Sequence, residues 1–231
     1  MNKNYEHSMW PLKKSDTQEN VIELLKLIRG GESQFVEFKK KAAHPEKIIR
    51  EVVAFANSKG GHLFIGVNDD GTLAGLKHPE DEEFVLTKAI NELCRPAIQF
   101  KVDLVQVRED VEILHYHIEE SNLKPHFAFL EKRHRYGKAF VRSADHSIQA
   151  SYEVRQILKQ SDKPHRAIEF EDKTRELFKY FESHSGITLA QYRQLSGLNK
   201  KLASNKLIHL ALSGALKIEP KEGGDIFMPV K

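Results

Sequence analysis

Glu32 and Glu37 stand five residues apart around a short apolar run, and Lys39, Lys40 and Lys41 follow at once. Carboxylates beside a basic cluster at the start of a strand suit a site that handles a phosphate backbone, with or without a metal ion held by the acids. The same charges also suit a solvated strand face, and residue type alone leaves both readings open. His115 and His117 alternate along another apolar segment. Their spacing would let two imidazoles share a metal, but no third ligand is close in sequence, so a solvated pair is the plainer reading. In "EKRHRYGK" (131–138), Arg133, Arg135 and Lys138 could grip a backbone while Tyr136 stacks on a base; a solvated loop fits equally well. The Gly137–Lys138 pair has no surrounding G-x4-G-K-[ST] pattern, which excludes a phosphate-cradling loop of that type and leaves ATP hydrolysis unsupported.

These residues sit in a chain of 231, long enough for one large domain or two modest ones. A formal charge of +3 and a pI near 8.8 permit a nucleic-acid partner without requiring one. The single Cys94 excludes an intramolecular disulfide and a cysteine-rich zinc module, and it fits a reducing compartment. No apolar run approaches the roughly 20 residues that span a bilayer, and the N-terminus lacks a signal-peptide core. The expectation is a soluble cytoplasmic protein.

The elements that must position the site follow from periodicity. Residues 1–18 read as a polar tail, with Met9 and Trp10 as apolar exceptions. "TQENVIELLKLIRGGE" reads as a helix through Val21, Leu24, Leu25 and Ile28, and "SQFVEFK" as a strand. "HPEKIIREVVAFANSKGG" is a helix opened by Pro45 and closed by Gly60–Gly61. "HLFIGV" is a buried strand, with Gly66 allowing close backbone approach, and "NDDGTLAG" a tight turn. A helix around "DEEFVLTKAINELC" stops before Pro96; "IQFKVDLVQV" and "VEILHYHI" then form a hairpin. "RYGKAFVRSAD" supplies a short strand and "SYEVRQILKQ" a closing helix. The class is α+β with a mixed sheet over 19–160.

Residues 161–167 read as a linker around Pro164, and 168–231 as a second, small domain. Its order is helix, helix, turn at Gly197, helix and β-hairpin around Gly223–Gly224, which is that of a winged helix-turn-helix. From Lys163 onward there are 12 Lys/Arg against 8 Asp/Glu, making this the more basic end. The third helix would offer Asn199, Lys200, Lys201, Ser204, Asn205, Lys206 and His209 to a major groove. Such modules also serve protein interaction or dimerisation.

"ESQFVEFKK", "VVAFANSKGGHLFIGVNDDGTLAG", "KPHFAF" and "GKAFVRSADHSIQAS" occur in this order, and together they resemble the Schlafen AlbA-type domain over roughly residues 20–160. In bacteria that domain is often followed by a winged helix-turn-helix, and the resemblance implies a DNA-binding transcriptional regulator. It also implies an alternative: some Schlafen proteins are metal-dependent endoribonucleases acting on structured RNA. Their catalytic acids fall on Glu32, Glu37 and Asp69, which would then hold Mg²⁺ or Mn²⁺, with Lys39, Lys40 and Arg142 as phosphate partners. The structural zinc site of vertebrate Schlafen cores is expected to be missing, since Cys94 stands alone. Those cores join two related lobes into a basic groove, so this one-lobed chain is expected to form a homodimer.

Overall fold

A computed structural model describes residues 13–14, 18–130, 136–161 and 171–230. The chain divides into two compact units, Met1–Ser121 with His126–Ser147, and Asn122–Pro125 with Ile148–Lys231. In the first unit the elements run β1 (Lys13–Lys14), α1 (Gln18–Arg29), β2 (Val36–Lys39), α2 (Pro45–Asn57), β3 (Gly61–Ile65), α3 (Pro79–Leu93), β4 (Cys94–Arg95), β5 (Phe100–Arg108), β6 (Val111–Ile118), β7 (Phe127–Ala128), β8 (Phe140–Ser143) and β9 (His146–Gln149). The main sheet has the order β1-β5-β6-β3-β2. The pairs β1–β5 and β2–β3 are parallel, while β3–β6 and β5–β6 are antiparallel, so the sheet is mixed as expected. Residues 13–14 were expected to be tail; their backbone instead pairs with Asp103 and Leu104.

Alternation along the strands builds two cores. On one face Leu63, Ile65, Leu114 and Tyr116 pack with Ile49, Val52, Val53 and Ala56 of α2. On the other, Phe38, Phe64, Val105 and Ile113 pack with Ile28, Leu24 and Leu25 of α1. The apolar spacing read from α2 is thus the face that meets the sheet, with Pro45 in its first turn. Gly60 has φ +73°, and a Cβ there would lie 2.7 Å from the Ile118 carbonyl oxygen. Only glycine lets α2 turn into β3 at that distance. α3 ends at Leu93, and Cys94 is already extended, in keeping with Pro96 two residues on.

The second unit holds α4 (Tyr152–Gln160), α5 (Asp172–Phe181), β10 (Ile187–Thr188), α6 (Leu189–Ser196), α7 (Lys200–Leu212), β11 (Leu216–Glu219) and β12 (Ile226–Pro229). Leu177, Ile187, Tyr192, Ala203, Leu207, Leu210, Leu216 and Phe227 form its core. Thr188 and Gln191 close a capping box at the start of α6, and Gly197 ends it in the left-handed conformation. Between α5 and α6 the short β10 pairs with β12 and makes a three-stranded sheet with the β11–β12 pair, a strand that its two residues do not announce.

The expected boundary at residue 160 differs from the observed one. α4 packs against α7, with Ile157 at the second core, and belongs to the second unit. An amphipathic helix shows that it needs an apolar partner without showing which. Of the expected linker, Ser161 is described and 162–167 lie outside the described residues.

Candidate nucleic-acid interface

β2 is an edge strand hydrogen-bonded to β3, so its outward N–H groups need other partners. Phe38 N–H donates to Glu32 Oε1 at 2.9 Å, and the first acid of the sequence therefore caps the edge. Alternation turns Glu37 and Lys39 onto the face that carries α2. There Glu37 is 7% exposed, its Oε2 accepting from Arg142 Nη1 at 3.0 Å and its Oε1 pairing with Lys39 Nζ. Arg142 Nη1 also donates to Glu51 Oε2 at 2.8 Å and Ser147 Oγ at 3.1 Å. Its Nη2 donates to the carbonyl oxygens of Ser33 at 2.7 Å and Asp145 at 3.0 Å. The guanidinium lies over the Phe55 ring, 4.7 Å from its centroid.

The end of α2 places this arginine. Asn57 donates to the carbonyl oxygens of His126 and Phe140 at 3.0 and 2.9 Å and accepts from His126 N–H at 2.7 Å. Arg142 N–H donates to Ser58 Oγ at 2.9 Å. The "NS" of the "FANSKGG" segment thereby tethers β8 and aims Arg142 at Glu37.

This geometry corrects two expectations. Arg142 does not reach solvent as a phosphate partner: it is buried and spans β2, α2 and the β8–β9 turn. Lys39 is half-buried and committed to Glu37 and to the Phe38 carbonyl oxygen at 2.8 Å. Lys40 is exposed. Asp69 is exposed in the turn after β3, where Asp70 accepts from Thr72 N–H at 2.9 Å. Burial raises the carboxyl pKa of Glu32, the Phe38 N–H opposes this, and the charges of Glu37 and Asp69 push it further up.

His62 joins His115 and His117 in a stack on the sheet face away from α2. His62 Nδ1 lies 2.8 Å from His115 Nε2, and His62 lies 4.9 Å from His117 between ring centroids. The expected solvated pair is thus a three-ring stack, with His115 6% exposed beneath Phe64 and His62. Burial, aided by the neighbouring imidazoles, lowers the pKa of His115 to about 3. The third ring comes from a strand 53 positions away and is revealed by the β3–β6 register, not by local spacing.

At the 131–138 segment, Arg133 and Arg135 lie outside the described residues; Tyr136 and Lys138 are exposed. In the second unit Asn199 caps α7, its Oδ1 accepting from Leu202 N–H at 3.0 Å. Lys200, Lys201 and Asn205 are exposed along the helix. Ser204, expected on the same surface, is buried and donates to Glu153 Oε1 of α4 at 2.5 Å. Glu51, Ser147, His62 and Glu153 are the site residues that the sequence did not single out.

A family model described as "Schlafen, AlbA_2" matches residues 32–151, more than half of the chain. The chain belongs to the Schlafen, AlbA_2 family. No curated protein matches it. Among solved structures it is similar to the N-terminal domain of an ATP-dependent DNA helicase RecG-related protein from Nitrosomonas europaea. The identity is 21% over 65% of this chain and 95% of that one, with a TM-score of 0.40. It is also similar to the DIP2311 protein from Corynebacterium diphtheriae, at 15% identity and a TM-score of 0.42, over 63% of this chain and 34% of that one. Membership of the Schlafen, AlbA_2 family points to nucleic acid as the partner. Among the described residues, no helix is long and apolar enough to cross a membrane.

The acids do not fit the metal that the Schlafen resemblance implies. β2 and β3 are parallel neighbours, as convergence of Glu37 and Asp69 requires, and Glu32 feels both charges. Yet both Glu37 oxygens are taken by cations of the chain itself, and one Glu32 oxygen caps β2. Among the described residues, no three His, Cys, Asp or Glu are grouped so as to hold a metal ion. Cys94 is buried, and burial pushes its thiol up to about 12.

Proposed function

We propose that this protein is a DNA-binding transcriptional regulator that grips duplex DNA through its second unit, used as a winged helix-turn-helix. One observation carries this reading. α7 follows α6 across the Gly197 turn and precedes the β11–β12 hairpin; its exposed strip presents Lys201 and Asn205, and Lys200 is exposed at its first position. The other faces of α7 are filled by the core and by the Ser204–Glu153 contact, so this strip is the one left to enter a groove. A two-fold dimer belongs to the same proposal, since it would set two copies of α7 on a palindromic site. Light scattering at twice the 26.5 kDa chain mass would support it, and a monomer at micromolar concentration would count against it.

Metal-dependent RNA cleavage by Glu32, Glu37 and Asp69 is the weaker reading, because Glu37 already has two cationic partners. Amine-selective acetylation read by mass spectrometry tests the DNA reading on the full chain. Duplex DNA should protect Lys200 and Lys201. Unchanged labelling at both, under conditions where DNA is bound, would move the contact elsewhere.

A further inference from the structure

The solvent strip of α7 is asymmetric in a way that bears on which bases it can read. Ala203, Leu207 and Leu210 face the core, Ile208 is buried and Ser204 is held by Glu153. Lys200 is exposed at the first position and Ala211 and Leu212 are half-buried at the end, and between them Lys201, Leu202, Asn205, Lys206 and His209 lie outside or at the margin. At 3.6 residues per turn, Lys201 and Lys206 lie about 140° apart around the axis, with Asn205, His209 and Leu202 between them. His209 is in the last turn, whereas Leu202 and Asn205 lie in the first two, the part of a recognition helix that meets base edges.

The two flanking lysines are not equivalent. Lys201 is exposed, but Lys206 pairs its ammonium with Glu171 at the start of α5, and its side chain is only 19% exposed. That ammonium holds the Glu171 carboxyl below the usual range. Lys201, one turn before Asn205, is the lysine this reading gives to the phosphate backbone; Lys206, one turn after Leu202, is the other long cation beside the reading positions, and a free lysine there would favour the O6 and N7 acceptors of guanine. With Glu171 against it, that preference is blunted, and a phosphate approaching the same margin meets a carboxylate. What remains at the centre is a carboxamide and an exposed isobutyl group, Leu202 being 52% exposed. A carboxamide pairs with the N6 donor and N7 acceptor of adenine, and an apolar side chain packs on the thymine methyl. Leu202, Asn205 and His209 also rim a cleft whose other walls include the buried Thr174 and Leu210.

We infer that α7 reads a step containing an A·T pair, with Asn205 on adenine and Leu202 against the thymine methyl, and that Glu171 sets this preference by holding Lys206 off the DNA. The inference rests on duplex DNA being the partner of this helix. Selection of the full chain on a randomised duplex library, followed by sequencing, tests it beside the variants Asn205→Ala and Glu171→Gln. The parent should enrich a core with an A·T pair, and Asn205→Ala should lose discrimination there by on the order of tenfold. Glu171→Gln frees Lys206 and should tighten binding a few-fold at low salt. It should also steepen the slope of log affinity against log salt by about 0.9, the release expected of one added phosphate contact, or move the core toward guanine. A core of G·C pairs alone, a core unchanged by Asn205→Ala, or identical behaviour of Glu171→Gln and parent would each overturn the inference while leaving DNA binding in place. Failure to enrich any duplex at any salt concentration would instead remove the DNA-binding reading, and the inference with it.

Discussion

Replacing His115 by Phe should flatten the acid side of the stability curve. In the fold this imidazole is 6% exposed, stacked 4.9 Å from Phe64, with Nε2 against His62 and with Nδ1 buried and unpartnered among the described residues. A second proton would add charge where nothing accepts it, and burial accordingly lowers the pKa from 6.5 to about 3. Above pH 6.5 the ring is neutral whether the chain is folded or not, and no penalty exists. As the pH falls below 6.5 the unfolded chain gains a proton that the folded chain refuses, so stability is lost down to about pH 3. At about 1.36 kcal/mol per pH unit, the loss between pH 7.5 and pH 5 is about 2 kcal/mol. That is a sizeable share of the roughly 5–15 kcal/mol that holds a domain together. Phe keeps the aromatic packing and cannot titrate. Its fixed cost from losing the His62 contact shifts the curve without changing its slope. Urea unfolding of parent and His115→Phe at pH 7.5, 6.5, 5.5 and 5.0 should show the parent losing about 2 kcal/mol more than the variant. Parallel curves would refute the reasoning, and would mean that the ring takes up its proton in the fold as readily as in the unfolded chain.

Two other predictions bear on the β2 edge. Arg142→Ala removes the cation shared by the buried Glu37 and the half-buried Glu51, so chemical denaturation should show a loss of about 3–5 kcal/mol. Arg142→Lys, which keeps the charge but not the fork across five acceptors, should fall between that variant and the parent. Incubation of transfer or ribosomal RNA with Mn²⁺ should give no cleavage that depends on Glu37 and Asp69. Cleavage by the parent that disappears in both Glu37→Ala and Asp69→Ala would restore the nuclease reading.

Much of the fold is legible because local pattern and tertiary partner agree. The spacing of Ile49, Val52, Val53 and Ala56 announces α2, Gly60 marks its end, and the run around Leu63 to Ile65 is buried on both faces as an apolar strand should be. Thr188 and Gly197 punctuate the second unit as a cap and a turn, whereas Asn199, read as a groove contact, turns out to cap α7. What stayed hidden depends on long-range register. Arg142 reads as a surface cation until β8 is tethered to Asn57 and Ser58, 83 and 84 positions upstream. His62 has no local sign of its meeting with His115, and the two residues of β1 carry too little pattern to reveal pairing with β5. Ser204, a hydroxyl among lysines, looks solvated unless the carboxylate that buries it, Glu153, is known to be there, and α4 shows an apolar face without showing which core takes it.

The salt dependence of duplex binding tests the central claim most directly. Fluorescence anisotropy of a labelled duplex, titrated with parent and with the Lys200→Ala/Lys201→Ala double variant at several salt concentrations, reports affinity and the number of phosphates neutralised. If α7 enters the groove with both lysines on the backbone, the double variant should bind more weakly, and its slope of log affinity against log salt should be shallower by about 1.8. Equal affinities and equal slopes for the two proteins across the salt range would contradict it.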